Sequence, residues 1–354
     1  MRWGEFVDII ERFFKKIYYN QNYNPTSLNF NNMQVSKDSY LIKGIPHISY
    51  KDAYCHSAVL QMIHGGKKDI GYYNWIIGFT YGAFYNADIK SFIPYADPEP
   101  LIQNGCKYLG LKGTYYTVKN SDKYIKAIEY YISNNIPVKV PVNFGVIKNE
   151  KFFDPHTELI VGYDKDNFYY YEPGIEDKYE EDYLGDKIKK DFLLKAVESI
   201  GKEFCYPWKY ALMVFEDNGN KNLPDDKDLF LRNSQLLKGK SSGPYAEGAQ
   251  ALERFANGIK NYSELEEDGK HIILALEQCT FTRKSNGDFL MTLGEELKPY
   301  GDYLIEASKL YEEAKFLFQE SSKNHEKAGD LVLKGCNLEE MVAHGLKRYY
   351  NTVK

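Results

Sequence analysis

The sequence predicts an α+β domain with an antiparallel sheet, followed by an all-helical bundle domain. Apolar residues at helical spacing come first, and they recur clearly over residues 121–134. Short runs rich in Val, Ile, Tyr and Phe follow between residues 137 and 216, and helical spacing returns from about residue 226 onward. Helices that precede a meander of strands are typical of an α+β domain.

Length and a polar break set the predicted domain boundary. A chain of 354 residues is too long for one small core, which favours two domains. The stretch DNGNKNLPDDKD, residues 217–228, combines turn-forming residues, a proline and dense charge. We therefore predict a first domain over residues 1–220 and a helical domain over residues 225–354.

Composition narrows the classes of function. The chain is 43% hydrophobic and 27% charged, as soluble globular proteins are. Its formal net charge of −5 argues against a nucleic-acid-binding or anionic-membrane surface. No apolar run approaches the roughly 20 residues that a membrane-spanning helix needs. Residues 1–20 are amphipathic and carry acids, which predicts a helix rather than a signal peptide, so the expected location is cytoplasmic.

The cysteines are odd in number and dispersed, which argues against a disulfide framework and against a zinc site. We expect free thiols in a reducing compartment and predict no metal and no cofactor, because the sequence also lacks phosphate-binding and HExxH motifs. The five cysteines are Cys55, Cys106, Cys205, Cys279 and Cys336.

Each predicted element has its own signal. In KDAYCHSAVLQMIHGG, Asp52 is the expected helix N-cap and Gly65-Gly66 the helix end, and Ser121 is the expected cap of the helix over 121–134. Strands are predicted over 137–144, 157–163, 167–173 and 210–216. Helices of the second domain are predicted over 226–238, 245–260, 264–281, 286–297, 300–320 and 323–349.

Cys55 is the strongest candidate for a nucleophile. A nucleophilic thiol acts as a thiolate, which a helix N-terminus and an imidazolium partner stabilise. Cys55 falls in the first turn of its predicted helix, where unpaired backbone N–H groups favour an anion and can also donate to an oxyanion. The other cysteines lack a histidine on a neighbouring strand, and a core role is expected for Cys106.

His156 is the candidate base, and Glu172 the candidate third residue. His156 precedes the predicted strand TELIVGY, and Glu172 ends the next strand in YYYEPG. If these strands form a hairpin that turns at residues 164–167, Glu172 returns to the level of His156. A carboxylate there can accept the second imidazole N–H and fix the tautomer. His47 is a candidate for contact with an oxyanion or a substrate.

Several segments along the chain form a recognisable set: DAYCHSAVLQMIHGG, GFTYGAFY, CKYLGL, IPVKVPVNFG and HTELIVGYDKDNFYYYEPG, with EGAQALERFANGIKNY and FTRKSNGDFLMTLGEEL in the helical part. Together they resemble the butirosin biosynthesis protein H family, which is related to papain-like and bacteriocin-processing cysteine peptidases. The resemblance covers about residues 40 to 320. It implies a papain-like first domain and an acyltransferase that passes an acyl group from a carrier-protein thioester to an amine.

By position, the resemblance makes Cys55 the nucleophile and His156 the base. The sequence departs from the wider peptidase group at two places. Glu172 stands where an Asp is usual, and Ser49 stands six residues before the cysteine, where papain-like peptidases carry the Gln of the oxyanion hole. Ser49 and His47 are therefore candidates for the second oxyanion donor.

Three functions stay open at the level of sequence. The leading hypothesis is acyl transfer through a Cys55 thioester, and a peptidase or amidase that uses the same covalent chemistry is the alternative. The third is a catalytically silent binding module on the same scaffold. The expected partner is an acyl carrier, a small molecule or a peptide, and the helical domain favours the large carrier. The sequence leaves homo-oligomerisation open.

Overall fold

The computed structural model describes residues 26–30, 33–88, 90–150, 155–203, 210–219, 223–262 and 269–353. The predicted helix over residues 1–20 and Cys205 lie outside this part of the chain. The chain divides into two compact units. Unit 1 contains the described residues up to Lys68 together with Ile102–Leu223, and unit 2 contains Asp69–Leu101 together with Pro224–Lys354.

The described residues form eleven α-helices, several short 3-10 turns and fourteen strands. The helices are α1 (Cys55–Ile63), α2 (Ile70–Ile77), α3 (Pro98–Cys106), α4 (Ser121–Ser133), α5 (Phe144–Ile147), α6 (Lys190–Glu203), α7 (Lys227–Lys238), α8 (Gly248–Lys260), α9 (Gly269–Thr292), α10 (Lys298–Glu320) and α11 (His325–Thr352).

The strands are numbered in the same way along the described chain. They are β1 (Thr26–Ser27), β2 (Tyr40–Leu41), β3 (His47–Ser49), β4 (Phe84–Asn86), β5 (Ser91–Ile93), β6 (Leu111–Thr117), β7 (Val138–Asn143), β8 (Pro155–Tyr163), β9 (Asn167–Tyr171), β10 (Lys178–Glu180), β11 (Asp186–Lys189), β12 (Ala211–Asp217), β13 (Ser241–Ser242) and β14 (Tyr245–Glu247).

Unit 1 is built on an eight-stranded mixed sheet. Its strand order is β1-β6-β12-β7-β8-β9-β11, and β2 pairs with the end of β8 that β7 leaves uncovered. The predicted sheet was antiparallel, and every pair is so except the two-residue parallel pair of β1 with β6. The central strand β7 is buried along its whole length, as expected for a strand with a neighbour on each side and helices against it.

The hairpin of β8 and β9 forms where the sequence predicts it. Asp164 closes its turn: the backbone N–H groups of Asp166 and Asn167 donate to the Asp164 carboxylate at 2.9 and 2.8 Å. Between Ile160 and Gly162 the pairing register shifts by one residue, which is a β-bulge. The glycine fits this place because a Cβ at Gly162 would come within 2.7 Å of the Leu41 side chain on β2.

Unit 2 contains helices α7 to α11, α2 and the beginning of α3. The six predicted helices of the second domain correspond to five helices: four match singly, and the two predicted over 264–281 and 286–297 are one continuous helix, α9. The unit is not all-helical as predicted, because β13, β14, β4 and β5 form a four-stranded antiparallel sheet. Residues 69–101, which we placed in the first domain, supply two of those strands, and Phe92 on β5 stacks on Phe255 at 4.0 Å between ring centroids.

The gap between the helices predicted over 264–281 and 286–297 is instead a continuous part of α9, which buries polar side chains there. Arg283 and Asn286 are each 1% exposed. Asn286 donates to the Thr80 carbonyl at 3.1 Å and accepts from the Thr80 hydroxyl at 3.0 Å. Polar side chains with such partners can continue a helix through a core, so the two predicted helices are one.

A second correction concerns the N-cap of α4. Asn120 is the cap rather than Ser121, because the Asn120 side chain accepts a hydrogen bond from the backbone N–H of Lys123.

Candidate active site

Cys55 is the first residue of α1. The N-cap is Tyr54, whose carbonyl accepts from the backbone N–H groups of Ser57 and Ala58 at 3.1 and 3.3 Å. The predicted cap, Asp52, lies in the exposed turn before the helix, so the helix begins later than expected. The Tyr54 side chain makes no capping bond. The first N–H groups of α1 therefore lie beside the thiol, in the place where a helix stabilises an anion.

Cys55 is also the accessible thiol among the described cysteines, because Cys106, Cys279 and Cys336 are buried. Burial raises the pKa of Cys106 and of Cys279 to about 12, and it also raises the pKa of Cys336. A thiol with so high a pKa stays protonated and unreactive at neutral pH. The structure thus gives Cys106 the core position that the sequence predicts.

His156 lies on β8 and contacts both of its predicted partners. Its Nε2 atom lies 2.8 Å from the Glu172 Oε1 atom. The ring also hydrogen-bonds to Cys55, which leaves Nδ1 for the thiol. Burial would lower the pKa of His156, but the charge and hydrogen bond of Cys55, the hydrogen bond to Glu172 and the charge of Glu158 raise that pKa well above its usual range. This balance favours the protonated, imidazolium form of His156.

Glu172 follows β9 and is held in one orientation. Its Oε1 atom accepts from His156 and also from the backbone N–H of Gly174 at 2.6 Å. The β-bulge explains how Glu172 reaches His156: with the shifted register, Leu159 pairs with Tyr171, and the next residue lies opposite Glu158. Residues opposite one another point to the same face, so Glu172 shares the face of Glu158 and His156.

Gly174 and Phe144 enclose the imidazole, and the sequence analysis singled out neither. A Cβ at Gly174 would lie 3.0 Å from the His156 Cε1 atom, so only a glycine fits there without displacing the ring. The Phe144 ring, at the start of α5, has its centroid 5.0 Å from that of His156. The signal for Gly174 was the EPG sequence directly after the strand, which marks a tight turn beside the carboxylate.

His47 and Ser49, the two candidates for an oxyanion donor, support the Glu172 turn. The His47 Nε2 atom lies 2.8 Å from the Glu172 backbone carbonyl, and the ring stacks on Tyr171 and Tyr183 at 5.1 and 4.9 Å. The Ser49 hydroxyl accepts from the backbone N–H of Ile175 at 3.2 Å. Both contacts fix the backbone on either side of Gly174, so His47 and Ser49 stabilise the turn that carries Glu172. The backbone N–H groups at the start of α1 are then the oxyanion donors that the geometry offers.

A pocket of about 270 Å³ opens beside Glu172 within unit 1. Its walls mix acidic and basic side chains with aromatic rings, which suits a polar ligand better than an apolar one. The lining residues that carry charge or a ring include Phe144, Lys148, Tyr170, Glu172, Glu176, Lys178 and Asp186.

Among the described residues, no cluster of three or more His, Cys, Asp or Glu side chains is arranged to hold a metal ion. In the same part of the chain, no helix has the combination of length and apolar character that crossing a membrane demands.

Comparison with known proteins leaves the site to be interpreted from its geometry. No protein-family model matches the chain, and no curated protein matches it in a sequence search. What defines the site is a partly exposed thiol at a helix N-terminus, hydrogen-bonded to a partly buried imidazole that a carboxylate orients.

Proposed function

We propose that the protein is a cysteine-nucleophile acyl-transfer enzyme with a papain-like first domain. Cys55 is the nucleophile, His156 the general base and acid, and Glu172 the residue that orients the imidazole. The observation that carries the proposal is the connected series of contacts from Cys55 through His156 to Glu172. Charge separation between a thiolate and an imidazolium at a helix N-terminus is what this chemistry needs.

The first half-reaction forms the acyl-enzyme. The Cys55 sulfur attacks the carbonyl carbon of a thioester donor, and the oxygen becomes an oxyanion that the N–H groups at the start of α1 stabilise. The bond from the carbonyl carbon to the donor sulfur then breaks. The leaving thiolate takes the proton from the His156 Nδ1 atom and departs as a thiol, which leaves a neutral imidazole beside the acylated Cys55.

The second half-reaction releases the product. An amine attacks the acyl carbon, the bond to the Cys55 sulfur breaks, and the amine loses one proton as the amide forms. Uptake of that proton at the site restores the thiolate and imidazolium pair. If water attacks instead, the product is a free acid, which is the outcome expected of a peptidase or amidase.

The geometry argues against a catalytically silent binding module. Such a module gains nothing from a partly exposed thiol bonded to a histidine whose tautomer is fixed by a buried carboxylate. His47 and Ser49 further hold the backbone that carries this carboxylate, which is support of the kind that positioned catalytic groups need.

Intact-mass spectrometry of the full chain tests the proposal. The protein is incubated with acetyl and benzoyl thioesters of N-acetylcysteamine and with short peptides, and adducts are mapped by peptide digestion. We expect one acyl group on Cys55, which the Cys55→Ala variant lacks. Addition of a primary amine separates the two outcomes, since a transferase yields the amide and a hydrolase the acid. An acyl-enzyme on another cysteine, or none with any donor, would overturn the proposal.

A further inference from the structure

Glu158 is a buried acid with no hydrogen-bond partner for either carboxyl oxygen among the described residues. Its side chain is 0% exposed. It lies on β8 two residues beyond His156, so both side chains project from the same face of the sheet. A buried carboxyl without a partner lowers stability, and a Leu or Met of similar size would cost less. Packing alone therefore does not account for an acid at this position.

The charged groups around Glu158 belong almost entirely to the active site. Burial raises the pKa of Glu158 well above its usual range, the charge of His156 opposes this rise, and the charges of Glu172, Cys55 and Asp186 add to it. Burial and these neighbouring acidic groups therefore favour the neutral form of Glu158. The same carboxyl is one of the groups that raise the pKa of His156.

Other titratable groups near this pair add no competing acid. Across the sheet, β7 places Val140 opposite Glu158, and its neighbour Lys139 projects from the other face and donates to the Tyr115 hydroxyl at 3.4 Å. On β9, burial and the charge of Glu158 raise the pKa of Tyr170, so this phenol stays protonated. On α1, burial and the charges of Lys139 and His156 lower the pKa of His56 well below its usual range.

We propose that Glu158 is a positioning residue that donates its proton to His156 once Cys55 is acylated, and thereby protects the acyl-enzyme from hydrolysis. The inference rests on the proposed acyl chemistry at Cys55. Acylation removes the thiolate charge, which had been the counter-ion of the imidazolium and had repelled a charge on Glu158. The Glu158 carboxylate then becomes the counter-ion that His156 has lost.

The protons balance over the full cycle. In the free enzyme Cys55 is a thiolate, His156 an imidazolium and Glu158 a neutral acid. Acylation transfers the imidazolium proton to the leaving thiol, and the Glu158 proton then passes to His156. When an amine attacks, the amide forms, the bond to the Cys55 sulfur breaks, and the proton lost by the amine returns to Glu158. Exchange of the proton through solvent within the lifetime of the acyl-enzyme is sufficient for these steps.

A protonated His156 discriminates between water and an amine. Water is a poor nucleophile and needs a neutral imidazole to remove its proton during attack. An unprotonated amine attacks without that help and loses its proton afterwards, while the imidazolium remains in place to stabilise the departing Cys55 thiolate. Glu158 thus favours transfer to an amine over hydrolysis, which makes the substrate class of the second step an amine.

The experiment compares acyl-enzyme lifetimes in the full chain. The wild type, Glu158→Gln and Glu158→Met are acetylated with acetyl-N-acetylcysteamine, and the decay of the adduct is followed by intact mass across the neutral range. Asp166→Asn, an exposed substitution in the β8–β9 turn, is the control. Loss of the Glu158 charge lowers the pKa of His156 in the acyl-enzyme. The neutral fraction of His156 then rises, so hydrolysis near neutral pH should become about tenfold faster, and the ratio of amide to acid should fall when a primary amine is added.

Equal lifetimes and equal product ratios in the wild type and both variants would overturn the inference. Absence of an acyl-enzyme in every protein would instead overturn the proposed function, so the two failures are distinct. If neither Glu158 variant folds, the wild-type protein alone can test the role of Glu158. NMR of labelled histidine in its acetylated form should show His156 protonated at neutral pH, and a neutral imidazole there would contradict the role given to Glu158.

Discussion

The two units each bury a network of charged and polar side chains, but they complete these networks differently. In unit 2 the Arg283 guanidinium bonds to Glu339 at 2.8 and 3.1 Å and to the carbonyls of Thr80, Gly82 and Pro94 at 3.0 to 3.2 Å. In unit 1 the contacts of His156 end at a partly exposed thiol. A network whose donors are all used is suited to holding a fold, and one that ends at an accessible nucleophile is suited to chemistry.

The largest effect on activity is expected at the exposed end of the unit 1 network. Cys55→Ala removes the nucleophile and should lower acylation by about a thousandfold or more, as in other enzymes that lose a nucleophile. The melting temperature should change little, because the site is partly exposed. In the wild type, iodoacetamide should alkylate Cys55 before Cys106, Cys279 or Cys336, and peptide mapping measures the order. Faster alkylation of a buried cysteine would contradict the statement that the unit 1 network ends at an accessible, reactive thiol.

The largest effect on stability is expected in unit 2. Arg283→Met leaves the buried Glu339 carboxylate with the Tyr311 hydroxyl but without its counter-ion, and should destabilise the fold by about 3 to 5 kcal/mol. Chemical denaturation measures the change. Lys284→Ala is the matched control, since the neighbouring Lys284–Asp288 pair is exposed and should contribute less than about 0.5 kcal/mol. The double variant Arg283→Met with Glu339→Leu should recover part of the loss, and no recovery would mean that packing rather than charge determines the effect.

Substitution of Glu172 tests whether orientation of the His156 imidazole contributes to the rate of acylation. Glu172→Gln keeps the size of the side chain but removes its charge, so acylation should fall by about ten- to a hundredfold, less than after loss of Cys55. Stopped-flow measurement of acylation checks this. Asp166→Asn should leave the rate unchanged. Asp164→Asn should weaken the turn, because hydrogen bonds from that turn hold the pKa of Asp164 at about 2 against the effect of burial, but it should not slow acylation. Equal effects from all three would contradict the assignment.

The smallest expected effect concerns Gly174, where only a methyl group is added. Gly174→Ala brings a carbon within 3.0 Å of the imidazole, so His156 must move by a few tenths of an ångström. We expect acylation to slow by about fivefold with little change in melting temperature, because near-attack geometry is sensitive to such displacements. Gly258→Ala is the matched control, because Gly258 also lacks a positive φ, lies on the exposed side of α8, and a Cβ there would come no closer than 3.7 Å to the Tyr85 hydroxyl.

The elements of the site were accessible to sequence reasoning because each rests on local signals. The apolar spacing and the Gly65-Gly66 end predicted α1, and turn residues 164–167 predicted the hairpin that returns Glu172 to His156. Tertiary contacts determined the rest. The start of α1 two residues later than predicted, the buried Arg283 inside a continuous α9, and the strands contributed to unit 2 by residues 69–101 all depend on partners distant in the chain.

Glu158 was missed for a related reason. In TELIVGY it looks like the polar residue at the edge of a strand, and alternation alone would place it toward solvent. Only the packing around β8 shows that it is fully buried on the face that carries His156. The oxyanion or substrate role of Ser49 and His47 stays a prediction: both line the pocket beside Glu172, and their contacts with the backbone around Gly174 could not be read from spacing to Cys55, which does not show where β3 pairs with β10.

The β-bulge in β8 makes chain length itself a part of the active site. Val161 is buried, and it is the residue of β8 that has no partner on β9. This extra residue sets which side chain at the end of β9 lies level with the imidazole of His156. Regular pairing continued from Gly162 and Tyr169 would instead place Leu159 rather than Glu158 opposite Glu172, and Glu172 would then project from the face opposite to His156. Position 161 should therefore accept another apolar side chain more readily than the loss or gain of a residue, since a change in length reverses the faces of one part of β8 relative to the other.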